Sequence, residues 1–168
     1  MLIRPATPAD ALALSLLARR VFVDTYGEMI PPAAMGPYLD ANFDPDALAD
    51  DLARDRCRLW VAEVAGAPAG VAMLSEGGHP GVIGLRPLEL RRLYVDRARQ
   101  NSGLGSALLQ AAEADAIARG DDVMWLQVWR ENRRAMTFYL RHSFVVAGAA
   151  PVIAAGVHFE DDLMVKTL

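Results

Sequence analysis

Between Arg97 and Leu109 the chain reads RARQNSGLGSALL, a polar stretch that closes on two glycines, Gly103 and Gly105. A strand-like apolar run precedes it and an Ala/Leu-rich run follows, so the stretch reads as a turn feeding a helix. The first amides of a helix have no acceptor within the helix and point outward at the positive end of its dipole. Such a group of donors suits a phosphate or pyrophosphate. Glycines there let the backbone approach an anion and allow positive φ. The same glycines would equally serve a plain sharp turn, and spacing alone does not separate the two readings. Two nucleotide loops are excluded. No G-x-x-x-x-G-K-[ST] supplies a phosphate-binding lysine, and no G-x-G-x-x-G marks a dinucleotide site.

The other reactive side chains point to less. Cys57 is the single cysteine and lies beside the strand-like Arg58-Leu59-Trp60 with no histidine near in sequence. It reads as a small apolar residue rather than a nucleophile, and it gives no sign of an oxidising compartment. His79, His142 and His158 lack metal-ligand spacing, so no metal is expected. Trp60, Trp125 and Trp129 fall in strand-like runs and read as packing residues.

The 168 residues are 53% apolar and 23% charged, a globular composition that suits a single domain over 1–168. A net charge of −4 leaves no basic excess for general nucleic-acid binding, although a local basic pocket for one anion is compatible with it. The opening MLIRPATPAD does not read as a signal peptide, and no apolar run approaches the roughly 20 residues of a membrane helix. A soluble cytoplasmic protein, with neither nucleic acid nor membrane as partner, is the expectation.

The elements that must position the glycine turn follow from periodicity. Leu2-Ile3-Arg4 reads as a short strand. Thr7-Pro8-Ala9-Asp10 reads as a capping box, and Leu14, Leu17, Ala18 and Val21 form the inward stripe of the helix it starts. Gly27 and Pro31-Pro32 end that helix, and a second begins at Asp44-Pro45-Asp46. Arg58–Glu63 and Ala69–Ser75 are strands joined as a hairpin through VAGAPAG. LELRRLYV is a third strand. Leu104–Arg119 is a helix with apolar or small residues at 104, 107, 108, 111, 114 and 118, stopped by Gly120. Val123–Trp129 is a strand, Arg133–His142 a short helix, and Phe144–Ala147 and Asp161–Lys166 the last two strands. The order predicts a mixed α/β sheet rather than a pure alternation of parallel units.

Gln100-Asn101-Ser102-Gly103-Leu104-Gly105 resembles the Q/R-x-x-G-x-G/A signature of the GNAT superfamily of acetyl-CoA-dependent N-acyltransferases. Its setting sharpens the likeness: LRRLYVDRAR directly before it, and later ENRRAMTFYLRHSF, which resembles the family's N-x-x-A-x-x-F-Y-x-x-x-G-F. Ser143 departs from that pattern by standing where glycine is usual. The resemblance implies an α+β fold with a mixed, mostly antiparallel sheet of six or seven strands and about four helices. It implies acetyl-CoA as cosubstrate. The amides of Gln100, Asn101, Ser102, Gly103, Leu104, Gly105 and Ser106 would hold the pyrophosphate, and the main chain of Leu93, Tyr94 and Val95 would pair with the pantetheine arm. Asn132 would bond the pantetheine, and Arg141 would reach the CoA phosphates. A homodimer is also compatible with the resemblance.

Acyl transfer to an amine needs a neutral amine, support for a tetrahedral oxyanion and a proton for the departing thiolate. The resemblance puts the general base at Glu89, acting through water; the alternative is an exposed strand glutamate. It puts Tyr139 beside the thioester sulfur, where a phenol of pKa about 10 can protonate a thiolate whose parent thiol titrates near about 8.5. The alternative is a packing aromatic. The oxyanion donor would be a backbone N–H near Tyr94 or Val95.

The stretch VFVDTYGEMIPPAAMGPYLDANFD sets Asp24, Glu28, Asp40 and Asp44 among Tyr26, Tyr38 and Phe43. Carboxylates beside aromatic faces suit a cationic amine, and Asp24, Tyr26 and Glu28 are the candidate acceptor residues. The same region resembles bacterial spermidine/spermine-type N-acetyltransferases, which makes a polyamine-like small-molecule amine the favoured acceptor. Acetylation of an amino acid, an antibiotic or a protein N-terminus, or a non-catalytic acyl-CoA sensor, are the alternatives.

Overall fold

A computed structural model describes residues 1–54 and 57–168. The chain divides into two compact units, Met1–Leu74 with Arg92–Ala112 and Ser75–Arg91 with Glu113–Leu168.

In the first unit β1 (Leu2–Pro5) pairs antiparallel with β2 (Arg58–Val64), which pairs antiparallel with β3 (Ala67–Glu76). The β2–β3 loop is Ala65-Gly66, with φ of 53° and 77°, the double positive φ of a two-residue hairpin turn. A short 3-10 turn at Pro8–Asp10 leads into α1 (Ala11–Tyr26). The expected capping box of Thr7 and Asp10 forms there. Asp10 Oδ2 accepts the Thr7 N–H at 2.7 Å and the Thr7 hydroxyl at 2.9 Å. Arg4 on β1 bonds Asp10 at 2.7 Å and Glu63 at 3.0 Å, and its guanidinium holds the Asp10 carboxyl well below the usual carboxylate range. The four expected stripe residues of α1 are all buried, and Leu14, Leu17 and Val21 pack with Leu59, Val61, Val71 and Met73.

A helix absent from the sequence reading follows, α2 (Pro32–Asn42). Gly36 and Pro37 are helix breakers by propensity, but Pro32 sits in the first turn, where a missing N–H costs nothing. Then α3 (Pro45–Ala53) begins as expected, with the Asp44 carboxylate accepting the Asp46 N–H at 2.9 Å.

Two elements run from one unit into the other, β4 (Pro87–Val95) and α4 (Leu104–Arg119). The buried positions of α4 are Leu104, Leu108, Ala112 and Ala116, an i, i+4 row, with Leu109 beside it. Ala114 and Ala118 of the expected stripe are exposed. In a segment this rich in alanine nearly every face reads as apolar, and the leucines alone mark the buried one. Gly70 on β3 allows close packing in the first unit: a Cβ there would lie 2.9 Å from Leu108 Cδ1 and 3.0 Å from the Tyr94 carbonyl.

In the second unit, Pro87–Glu89 pair in parallel with Val123–Trp125 of β5 (Val123–Trp129). After α5 (Arg133–Arg141) come β6 (Val145–Ala149), the small hairpin β7 (Val152–Ala154) with β8 (Val157–Phe159), and β9 (Asp161–Thr167). β9 pairs antiparallel with both β5 and β6. The strand order is β1-β2-β3-β4-β5-β9-β6, seven strands with β4–β5 parallel, and five α-helices lie among the described residues. The expectation of a mixed, mostly antiparallel sheet holds. The β7–β8 hairpin is an addition, turned by Ala155-Gly156 at φ of 52° and 76°. β6 begins at Val145 because Phe144, 1% exposed, closes the end of α5 instead of entering the strand.

Candidate functional site

In the first unit the glycine turn is built by local hydrogen bonds. Asp96 accepts the Ala98 N–H at 3.0 Å and starts a 3-10 turn over Arg97–Arg99. The Gln100 side chain donates back to the Val95 carbonyl at 3.2 Å, which ties the turn to the end of β4. Asn101 and Gly103 then take positive φ, 63° and 85°. The Ser102 hydroxyl donates to the Arg99 carbonyl at 2.6 Å. Leu104 is buried and anchors α4, whose first bond runs from the Ala107 N–H to the Gly103 carbonyl at 3.0 Å. A Cβ at Gly103 would meet no atom within 4 Å, so glycine is required there by the backbone angle, with open space beside it. By helix geometry the N–H groups of the first turn of α4 have no acceptor within the helix, and the positive end of its dipole faces the turn. Arg97 and Arg99, both exposed, add positive charge to the same segment. Leu93, Tyr94 and Val95 are half-buried on the last residues of β4 before the turn.

The same unit holds the candidate acceptor residues. Phe22 gathers the aromatics, with ring centroids 4.8 Å from Tyr26, 5.0 Å from Tyr38 and 5.5 Å from Phe43. Asp40 is engaged by Arg19 and Asp44 caps α3, while Asp24 and Glu28 are exposed near the end of α1. Sequence reasoning passes over Arg92. Its guanidinium stands 4.5 Å over the Phe43 ring and donates to the Asn42 carbonyl at 2.9 Å. The signal was available, since Arg92 and Tyr94 are two apart on a strand and so share a face.

The remaining candidates belong to the second unit. Glu89 is half-buried and stands beside Trp125 in the parallel ladder. Trp125 is a buried packing residue, its indole N–H donating to the Gly77 carbonyl at 2.9 Å. Asn132 is the N-cap of α5, with Oδ1 accepting the Ala135 N–H at 3.1 Å. Arg141 is exposed in the last turn of that helix. Tyr139 is buried on α5, and its ring meets Phe138 at 5.3 Å and Phe144 at 5.5 Å, both edge to face. Cys57, in the first unit, is half-buried and packs against the core there. Among the described residues no group of three or more His, Cys, Asp or Glu could hold a metal ion, and no helix is long and apolar enough to cross a membrane.

Residues 22–144 match the sequence model of the acetyltransferase (GNAT) family. An uncharacterized N-acetyltransferase of Mycobacterium tuberculosis is 30% identical over 160 residues, 95% of this chain and 98% of that protein. Among solved structures, the PaiA N-acetyltransferase of Thermoplasma acidophilum in complex with coenzyme A aligns with a TM-score of 0.80 at 20% identity, covering 99% and 98% of the two chains. A putative acetyltransferase of Salmonella typhimurium, yncA, with its cofactor acetyl-CoA, aligns with a TM-score of 0.78 at 22% identity over 100% and 94%.

Proposed function

This chain belongs to the acetyltransferase (GNAT) family, and from that premise we propose that it moves the acetyl group of acetyl-CoA to a primary amine of a small molecule, a polyamine-like amine first among them. The observation that carries the reading is the Gln100–Ser106 turn, with two left-handed residues and open space at Gly103 directly before a 16-residue helix. That is the backbone an anion needs at a helix start. The coenzyme A and acetyl-CoA of the two solved relatives support a CoA thioester as the donor here. The family match begins in one unit and ends in the other, which supports one catalytic domain over the chain. A single cysteine, Cys57, fits a reducing, cytoplasmic setting.

In this reading the amides of Gln100–Ser106 take the pyrophosphate, the main chain of Leu93–Val95 pairs with the pantetheine, and Arg141 adds charge for the phosphates. The amine nitrogen attacks the thioester carbonyl as the neutral base and forms the N–C bond. A main-chain N–H near Tyr94 or Val95 supports the oxyanion. Collapse breaks the C–S bond, and the Tyr139 hydroxyl gives its proton to the departing thiolate. The proton shed by the nitrogen passes through water to Glu89, and exchange with solvent restores both groups. Asp24, Tyr26 and Glu28 supply negative charge and an aromatic face for a cationic acceptor.

The test is thiol release from acetyl-CoA across monoamines, polyamines, amino acids, aminoglycosides and N-terminal peptides. Turnover of polyamines above the other classes is the expected result. Tyr139→Phe should lower kcat by roughly 10²-fold while acetyl-CoA affinity holds. Tight acetyl-CoA binding with no turnover of any amine would identify a binding module instead, and an unchanged kcat in Tyr139→Phe would remove Tyr139 from the acid role.

A further inference from the structure

Asp161 opens β9 and stands directly across the β5–β9 ladder from Trp129. Opposed residues of an antiparallel pair project to the same side, so the carboxyl and the indole are neighbours. Phe159 meets Trp129 edge to face at 5.9 Å, which gives that side a second ring. The residue is 8% exposed, and Oδ1 is buried without a hydrogen-bond partner. The adjacent Asp162 differs, because Arg130 binds it at 2.7 Å. The charged groups that act on Asp161 are its chain neighbours Glu160 and Asp162, and the nearby Arg130 is committed to Asp162. Burial, with the negative charge of Asp162 and Glu160, pushes the Asp161 carboxyl up to about 6, so it is mostly ionised at neutral pH.

An ionised, buried carboxylate with an unmet oxygen is costly unless a cationic donor reaches it. The surrounding chemistry fits such a donor. Trp129 is half-buried and presents an indole, the ring that attracts a cation most strongly. Gln127, exposed and donating to the Ala150 carbonyl at 3.2 Å, lies on the same face of β5 two residues before Trp129. Glu89 lies on that face of the unit too, beside Trp125, four residues back along β5.

We propose that Asp161 binds an alkylammonium group, with Trp129 as the aromatic wall of the site. The proposal rests on the acetyltransferase reading for its purpose, since that reading makes the ammonium part of the acceptor. It narrows the acceptor to chain amines without a carboxylate. An amino acid would bring its own negative charge toward Asp161, Asp162 and Glu160.

The experiment uses the full chain, with 1,4-diaminobutane and 4-aminobutyrate as probes of similar length. The Asp161 carboxyl carbon is followed by NMR through a pH titration, assigned by its loss in Asp161→Asn. Adding 1,4-diaminobutane should move its midpoint downward, because the ammonium favours the ionised form, while 4-aminobutyrate should leave it in place. In turnover, Asp161→Asn should lower kcat/KM for 1,4-diaminobutane at least about tenfold, with the acetyl-CoA Kd unchanged. A midpoint that ignores 1,4-diaminobutane overturns the site, even if amines are acetylated. A midpoint that moves while no amine is acetylated upholds the site and removes the acetyltransferase reading.

Discussion

The Phe144 N–H donates to the Tyr139 carbonyl at 3.1 Å, and the two rings meet edge to face at 5.5 Å. With the Ser143 N–H donating to the Leu140 carbonyl at 3.2 Å, the pair of bonds forms a Schellman ending for α5. The ending fixes the backbone of Tyr139 from below and its ring from the side. The proposed proton donor is therefore held by the residue that closes its own helix.

The motif needs a left-handed residue between helix and Phe144, and Ser143 takes it with φ of 67°. This is the position where the family pattern has glycine. A side chain in that region costs about 1–2 kcal/mol, part of which glycine returns through a looser unfolded chain. Ser143→Gly should stabilise the protein by roughly 0.5–1 kcal/mol, read as a higher urea midpoint with unchanged slope. No gain would mean that the serine is strain-free at this angle.

Asn132 has a structural task that complicates its proposed contact with pantetheine. Its Oδ1 caps α5 through the Ala135 N–H, which leaves the amide NH₂ as the group to offer a ligand. Two substitutions separate the tasks. Asn132→Ala should cost about 1 kcal/mol of stability by losing the cap. Asn132→Asp keeps a capping oxygen and should cost little. Both lose the amide donor, so both should weaken acetyl-CoA binding roughly tenfold by calorimetry. Binding lost in the alanine variant alone would reduce Asn132 to its cap.

The distinction between what the sequence carries and what it hides runs along similar lines. Periodicity marked Val123–Trp129 to the residue, because a strand with six of seven positions apolar has one reading. The motif spacing singled out Tyr139 and Asn132 as candidates but gave no hint of the Schellman closure, since serine carries no sign of a left-handed angle. Helix α2 was hidden by Gly36 and Pro37, whose local preference the surrounding packing overrides. Asp161 looked like any strand-opening acid. Its orphaned oxygen depends on which residue lies across the ladder and which carboxylate Arg130 chooses, and neither is local in sequence.

Gly103 and Gly66 provide a matched pair for testing the turn. Both have positive φ, 85° and 77°, and a Cβ at either would meet nothing within 4 Å. Alanine at each should cost about 1 kcal/mol through the backbone alone. Gly66 belongs to the β2–β3 hairpin, so Gly66→Ala should leave acetyl-CoA affinity as it is. Gly103→Ala should weaken it by more than about tenfold, because the amides after it lose their aim. Equal affinities in the two variants would show that the turn is only a turn.

Asp161 predicts a pH dependence of stability that runs opposite to ordinary acid denaturation. Its folded carboxyl titrates near about 6, above the unfolded value of about 3.9. Between those values the folded chain holds more protons than the unfolded one, so this group's contribution falls as pH rises from about 4 to about 6, then levels off. Asp161→Asn removes the titration and should be more stable than the parent above that window, by about 1–3 kcal/mol, with the advantage vanishing near pH 4. Asp10 works the other way: its carboxyl is lowered by Arg4, and the stability it contributes is lost as pH falls below the usual carboxylate range. Urea midpoints of the parent and Asp161→Asn, taken at acid and neutral pH, isolate the Asp161 contribution. Equal stability of the two at neutral pH would mean that the buried carboxylate has already found a donor, and the cationic site would lose its basis.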